Sequence, residues 1–387
     1  MENSASLAIV NATLVLEDRM LYNAALLMRG ERIAAFGNMG SFEIPKDVPT
    51  VDAGGLFVGP GFVDIHVHGC NKISTISNLP ETAKFFLKHG TTTMLGTPWY
   101  TLNFDTIIAS IRHIKENMKN APNVRGIYME GPYTNPKYGS HAADNPWRFG
   151  IKEEQYKAIV DEAGRDALVW TVAPELEKIG DFVAYAKKVN PNTVIAVGHC
   201  EATPDQIRAL GKYRPTLETH ATNATGKQLG GGGIWGAGPD EYCFTHDEVY
   251  CEMISDSMCV HVNKDIQRLI LKCKGVDKVV LITDSSSHEN PPPAKYAHVT
   301  DINFSPYGEV AGSKLTMEQA CRNVMRNAGV SMVDAFNMAA RNPARVIGFA
   351  EELGTIEVGK RADLVIVDGD FNINNVFLGG KIVEIGE

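Results

Sequence analysis

Eight short apolar runs alternate with helix-like segments through the middle of the chain. The runs cover residues 62–68, 91–96, 124–130, 168–174, 194–199, 215–220, 249–255 and 279–284. Helical spacing of apolar residues falls between them, at residues 80–89, 104–119, 152–163, 177–189, 204–211 and 264–274. Eight strands that alternate with helices predict an α/β fold of the closed parallel (β/α)8 type, a TIM barrel, because a doubly wound open sheet usually has fewer strands.

The two ends of the chain show a different pattern, of short strands separated by turn residues. The expected strands are residues 7–10, 13–16, 24–28, 32–36 and 50–52 at one end, and 354–359, 362–368, 375–378 and 381–385 at the other. Each end is too small to fold alone. We therefore expect a small β-sandwich domain made from residues 1–58 and 350–387, with the barrel in residues 59–349 and closing helices near its end.

The composition is that of a globular protein with a large core. Of the 387 residues, 44% are hydrophobic and 21% are charged, and the net charge of −9 without a Lys/Arg stripe argues against a nucleic-acid partner. Seven cysteines without C-x-x-C pairing are typical of reduced thiols. Neither a signal peptide nor a membrane span is predicted, so we expect a cytoplasmic protein with no membrane partner.

The strand that ends at Gly69 carries the first candidate chemistry. Its strict alternation points Asp64, His66 and His68 to one face and the intervening apolar residues to the other. Two imidazoles spaced in this way bring their nitrogens close enough to bind one divalent metal. An isolated His-x-His pair arises more often by chance than as a site, so its meaning depends on the other strands.

Further candidate ligands lie at the ends of other apolar runs, where a barrel of this type places its active site. They are Glu130 on strand 3, His199 on strand 5, His220 on strand 6 and Asp284 on strand 8. Together with the His-x-His pair they predict a metal centre with acid–base groups, because several independent placements agree.

These residues sit in longer motifs that resemble the amidohydrolase superfamily and, within it, the N-acetylglucosamine-6-phosphate deacetylases. The resemblance covers nearly the whole chain. It rests on PGFVDIHVHG (60–69), EGP (130–132), GHCEAT (198–203), THATNA (219–224), TD (283–284), AGSKLTM (311–317) and GTIEVGKRADL (354–364).

The resemblance implies a metal-dependent hydrolase that converts N-acetylglucosamine-6-phosphate and water into glucosamine-6-phosphate and acetate. Many two-metal relatives carry a carbamylated lysine, but residues 169–175 contain no lysine and Glu130 would replace it. Glu130, His199 and His220 would hold one metal with a water, and His66 and His68 would complete a second site or support the first. Zn²⁺ and Fe²⁺ both suit these ligands, so the metal and its number, one or two ions per subunit, stay open.

The expected reaction is attack by hydroxide on an amide carbonyl. A divalent ion lowers the pKa of bound water towards about 7, and Asp284 would accept the water proton and deliver it to the departing amine. His141 lies in a loop that resembles the one carrying a substrate-contacting histidine, so it would stabilise the carbonyl oxygen as this gains charge.

The expected substrate contacts include two departures from the family. Asn223 and Ala224 match the pair that would hold the sugar phosphate, and Gly312 lies in the family stretch 311–317. Thr225 replaces a methionine of the family, and Lys227 becomes the candidate cation for phosphate.

The second departure is Cys259, which stands where the family has a substrate histidine. His261, two residues on and on the same side of an extended segment, is the candidate to take over. The glycine run 230–233 with Trp235 suggests a loop over the pocket.

Two other functions stay open. One is an amidohydrolase that acts on a different N-acyl or cyclic amide, including an unphosphorylated one. The other is a catalytically inactive relative that serves as a binding protein, which the six intact candidate metal and acid–base residues disfavour. The resemblance also implies a homodimer.

Overall fold

Both ends of the chain contribute strands to one mixed sheet in this computed structural model, which describes residues 6–139, 145–148, 150–227 and 236–384. The strands are β1 (Ser6–Val15), β2 (Met20–Arg29), β3 (Arg32–Asn38), β4 (Thr50–Asp52), β5 (Phe57–Pro60), β18 (Leu364–Val367), β19 (Ile373–Leu378) and β20 (Lys381–Ile382). They are ordered β20-β19-β18-β5-β1-β2-β3, with β4 beside β1. A hydrophobic cluster that includes Leu26 and Phe377 joins residues from the two ends. The predicted pairing of the ends is confirmed, and the domain division at residues 58 and 350 stays a prediction.

Three of the expected strands in this region differ from the structure. Residues 7–10 and 13–16 are parts of one strand, β1, which carries an irregularity at Asn11, where φ is +52° and the register with β2 shifts. Residues 354–359 contain bends and a turn instead of a strand, and Gly354 and Gly359 take φ values of +90° and +92°, which strand residues do not adopt. Apolar content alone does not reveal such turns.

The eight predicted barrel strands are all present, and the (β/α)8 prediction is confirmed. They are β6 (Phe62–Val67), β9 (Thr91–Gly96), β10 (Val124–Met129), β11 (Ala167–Val172), β12 (Val194–Val197), β13 (Leu217–Glu218), β14 (Tyr250–Met253) and β15 (Val279–Leu281). They pair in parallel in this order. The circle closes through a parallel bridge between Val67 and Ser285, beside which the backbone N–H of Asp284 donates to the carbonyl of His66 at 3.0 Å.

Helices pack around the barrel and two short hairpins stand at its rim. The helices are α1 (Leu79–Lys88), α2 (Phe104–Asn117), α3 (Glu153–Ala163), α4 (Ile179–Val189), α5 (Pro204–Ala209), α6 (Pro239–Thr245), α7 (Lys264–Lys274), α8 (Met317–Ala328), α9 (Met332–Phe336) and α10 (Asn342–Val346). The hairpins pair β7 (Gly69–Cys70) with β8 (Ile73–Ser74), and β16 (Ile302–Phe304) with β17 (Val310–Ser313). Sequence analysis missed α6 and both hairpins. Among the described helices, none has the length and apolarity that crossing a membrane requires.

Candidate active site

The candidate ligands are carried by the last residues of the strands and by the turns just after them. His66 lies within β6 and His68 one residue beyond it, and Glu130 follows β10 directly. His199, His220 and Asp284 come two or three residues after their strands and take left-handed backbone conformations, with φ values of +47°, +28° and +46°. Non-glycine residues seldom adopt this conformation, and it recurs at functional sites because the surrounding structure must hold it.

Glu130, His199 and His220 form one group of candidate metal ligands. The Oε1 atom of Glu130 lies 2.9 Å from Nε2 of His199 and 3.3 Å from Nε2 of His220, and the two Nε2 atoms are 3.0 Å apart. All three side chains are almost fully buried. Two imidazole nitrogens and a carboxylate oxygen that converge in this way suit a divalent metal ion.

His66, His68 and Glu130 form a second group, so Glu130 is common to both. Nε2 of His68 lies 3.3 Å from Oε2 of Glu130, and Nε2 of His66 lies 3.6 Å from Oε1 of the same residue. Oε1 of Glu130 thus faces His66, His199 and His220, whereas Oε2 faces His68, so this one carboxylate lies close to all four histidines.

The Nδ1 atom of each of the four histidines faces an acceptor. His68 faces the carbonyl oxygen of Thr97 at 3.0 Å, His220 that of Asn223 at 3.2 Å and His199 that of Tyr138 at 3.5 Å, while His66 faces the carboxylate of Glu252 at 3.2 Å. A carbonyl oxygen can only accept a hydrogen bond, so these contacts place the proton on Nδ1 and leave Nε2 available to a metal.

Three buried atoms of the cluster have no hydrogen-bond partner among the described residues. They are Nε2 of His66, Nε2 of His68 and Oε2 of Glu130. Unsatisfied buried polar atoms are costly, and an ion that these atoms bind would remove the cost. The residues present therefore fit a divalent metal centre.

The electrostatics of the cluster follow from burial and mutual attraction. Burial opposes the charge of Glu130, but His68 and the hydrogen bonds with His199 and His220 outweigh it, so the pKa of Glu130 is well below its usual value. Burial also disfavours protonation of His66, yet its contacts with Glu130 and Glu252 hold its pKa well above the usual value. Metal binding must displace protons of this kind, which couples metal affinity to pH.

A cavity of about 320 Å³ opens onto this cluster. Its lining includes all of the candidate ligands except His66, together with Asp284 and four of the residues expected to contact substrate. Those four are Asn223, Ala224, His261 and Gly312. Asp284 lies beside the candidate metal ligands, with Oδ1 3.3 Å from Nε2 of His68. Its carboxyl group can donate or accept a proton at this position.

Two other predicted site residues have different outcomes. His141 lies outside the described residues, as do Trp235 and the glycine run. Lys227 is not among the residues that line the cavity, and its ammonium group pairs with the carboxylate of Glu241 at the start of α6. Lys227 therefore has an ion-pair partner other than the expected substrate, and its pairing with Glu241, 14 residues further along the chain, was not expected from the sequence.

Sequence analysis missed several residues of the site. Trp99 and Tyr100 line the cavity, and the Trp99 ring stacks on His68 with centroids 3.7 Å apart. They lie three and four residues after β9, so their position just beyond a strand end was an available signal. Glu252 lies within β14 beneath the ligands, where a lone carboxylate in an apolar run was the clue. Asp256 accepts hydrogen bonds from the turn that carries His261.

A (β/α)8 barrel with four histidines and a glutamate shared between two ligand groups at the carboxyl ends of its strands defines a class of metal-dependent barrel proteins. Residues 57–383 match the amidohydrolase family, and the chain therefore belongs to that family.

The chain aligns with individual relatives over nearly its full length. The chain is 26% identical over 397 aligned positions to the N-acetylglucosamine-6-phosphate deacetylase of Haemophilus influenzae, covering 97% of this chain and 98% of that protein. It is 28% identical to the N-acetylgalactosamine-6-phosphate deacetylase of Escherichia coli O157:H7, and the alignment covers 88% of this chain and 90% of that protein. Among solved structures, the N-acetylglucosamine-6-phosphate deacetylase of Pasteurella multocida superposes with a TM-score of 0.83 at 25% identity. The superposition covers 98% of this chain and 99% of that one.

Proposed function

We propose that this chain is a metal-dependent deacetylase that hydrolyses the acetamide of N-acetylglucosamine-6-phosphate or a closely similar amino sugar phosphate. The observation that carries the proposal is the convergence of His66, His68, Glu130, His199 and His220 beside Asp284. All of them except His66 line one cavity, in a chain that aligns over nearly its full length with such enzymes. The names of the relatives include both gluco and galacto sugars, so either epimer fits this proposal.

The chemistry follows from the residues that face the cavity. A divalent ion, zinc or iron, would supply an activated water and polarise the amide carbonyl when bound to the histidines and Glu130. Asp284 is placed to take a proton and return it to the amine, which leaves only when its nitrogen is protonated. The lowered pKa of Asp284, where the histidine contacts outweigh the effect of burial, keeps it ionised and ready to accept that proton.

The remaining predicted contacts give the substrate its orientation. His141 stays the candidate to stabilise the carbonyl oxygen, as the family resemblance implies. Asn223, Ala224, His261 and Gly312 share the cavity with the cluster. His261 supports this best, since its Nε2 atom is buried without a hydrogen-bond partner among the described residues, while Nδ1 lies 3.3 Å from Asp256. A polar substrate group would satisfy that nitrogen.

Three further properties belong to this proposal. The protein would work as a homodimer, as the family resemblance implies. It would work in the cytoplasm, which seven free cysteines, five of them buried, support because thiols persist in reducing compartments. Residues 1–58 with 350–387 would form a β-sandwich domain that supports the barrel.

The test is amine release by metal-loaded protein from N-acetylglucosamine-6-phosphate and, in parallel, from N-acetylglucosamine. Release from the phosphate that depends on added Zn²⁺ or Fe²⁺ supports the proposal. Absence of release from either sugar by protein that has bound metal would refute the sugar assignment.

One observation favours a second candidate, a deacetylase of unphosphorylated N-acetyl sugars or other N-acyl compounds. Among the described residues that line the cavity, none is a lysine or arginine, whereas Glu309 contributes a carboxylate. Phosphate sites usually contain such cations. Equal kcat/KM for the two sugars in the assay would favour this second function.

A further inference from the structure

Glu252 is a buried carboxylate that sits beneath the metal-ligand cluster. It lies on β14, is fully buried, and projects from a strand that supplies none of the candidate ligands. Its Oε2 atom is 3.2 Å from Nδ1 of His66 and 3.0 Å from the backbone nitrogen of His220. A single oxygen atom thus contacts one residue from each of the two ligand groups.

The contact with His66 differs from those of the other three histidines. Their Nδ1 atoms face neutral backbone carbonyls, whereas His66 faces a carboxylate. A carboxylate holds an imidazole N–H more strongly than a carbonyl does and makes the opposite nitrogen a better metal ligand. The His66 ring is also stacked on Tyr128 with centroids 4.3 Å apart, so its rotation is restricted on a second side.

The contact with His220 acts on the backbone. His220 has φ of +28°, a strained value for a residue with a side chain. Its N–H donates to the Glu252 side chain, and the next N–H, of Ala221, donates to the Glu252 backbone carbonyl at 2.8 Å. Glu252 therefore holds in place the turn that aims the His220 imidazole at Glu130.

We propose that Glu252 is a positioning residue that couples the two halves of the metal centre, by orienting His66 and fixing the turn at His220. The inference rests on the metal centre of the proposed function. It implies that loss of the carboxylate weakens metal binding in both ligand groups, although Glu252 itself is not a ligand of either.

The test compares Co²⁺ binding by the wild-type protein and the variants Glu252→Gln, Glu252→Asp and Glu218→Gln. Glu218 is the matched control, because it is also fully buried and lies on the neighbouring strand β13. Among the described residues, its side chain forms no hydrogen bond or ion pair with a candidate ligand. Co²⁺ titration followed by visible absorption gives the affinity and the number of ions, and the band positions report the ligand geometry. Thermal unfolding shows which variants are folded.

We expect Glu252→Gln to lower Co²⁺ affinity by about 10- to 100-fold, the range usual for groups that orient a ligand, and to shift the absorption bands. Glu252→Asp keeps the charge but shortens the side chain, so its Co²⁺ affinity should lie between those of the wild type and Glu252→Gln. It also provides the test if Glu252→Gln does not fold. Unchanged affinity and spectrum in the Glu252 variants would overturn the proposal, as would an equal loss in Glu218→Gln. Failure of the wild type to bind any Co²⁺ would overturn the metal centre itself, which is a distinguishable result.

Discussion

Asp284 and His68 meet at the floor of the cavity, with Oδ1 of the aspartate 3.3 Å from Nε2 of the histidine. The two residues come from opposite ends of the barrel sequence and become neighbours because the segment after β15 pairs with the end of β6. Closure of the barrel is thus the event that brings the candidate proton carrier to the candidate metal ligands.

Replacing Asp284 by Asn should lower kcat by about 10² to 10⁴, the usual contribution of a general acid–base group, because the amide cannot carry the proton. KM should change much less, since the residue acts on the reacting atoms. Steady-state amine release from N-acetylglucosamine-6-phosphate measures both constants. Asp205→Asn, at an exposed side chain on α5, is the control and should match the wild type. A kcat above half of the wild-type value in Asp284→Asn would remove Asp284 from the mechanism.

Removal of metal by a chelator should abolish activity and lower the melting temperature. Buried Nε2 atoms and the Glu130 carboxylate lose their partner, and a ligand present at 1,000 times its Kd stabilises a fold by about 4 kcal/mol. Metal analysis, activity and thermal unfolding before and after dialysis measure the effect, and added Zn²⁺ or Fe²⁺ should restore both properties. Full activity in protein shown to contain no metal would contradict the prediction.

The sequence predicted the barrel and the cluster because both depend on patterns that are local in the chain. An apolar run identifies a strand, and the polar residue that ends it, such as His199 or His220, must then face the carboxyl end of the barrel. Lys227 shows where such reasoning stops. Its pairing with Glu241 depends on the path of the chain before α6, and no local sequence pattern predicts that path.

Turn conformation sets a similar limit for His261. Sequence analysis placed it on an extended segment, but the structure has a turn there, with Cys259 at φ of +54° and Asp256 accepting backbone hydrogen bonds from Met258, Val260 and His261. His261 lines the cavity because of this turn. The aspartate that organises the turn could be identified only once its hydrogen bonds were seen.

Replacing Asp256 by Asn should raise KM by about 10-fold with a smaller effect on kcat. The carboxylate holds Nδ1 of His261 and leaves Nε2 towards the cavity, and a charged hydrogen bond of this kind contributes about 1.5 to 3 kcal/mol. Asp301→Asn is a matched control, because Asp301 holds the same turn through the backbone and hydroxyl of Ser257 but does not contact His261. An equal rise in KM in both variants would show that the turn as a whole, and not the orientation of His261, matters.

Asp64 should make the stability of the fold depend on pH near neutrality. Its carboxyl group is fully buried and accepts a hydrogen bond from the Thr283 hydroxyl at 2.6 Å, and burial raises its pKa to about 7. The unfolded chain has the ordinary value of 3.8, so the folded state holds this proton more tightly. The stabilisation is complete below pH 3.8 and is lost as the pH rises through about 7, which amounts to about 4 kcal/mol at 1.4 kcal/mol for each unit. Asp64→Asn lacks this titration, so its melting temperature relative to that of the wild type should rise between pH 5 and pH 8.

Thermal unfolding in the presence of a chelator, which removes the separate pH dependence of metal binding, measures the difference. Asp205→Asn should run parallel to the wild type over the same range, and a parallel curve for Asp64→Asn would contradict the prediction.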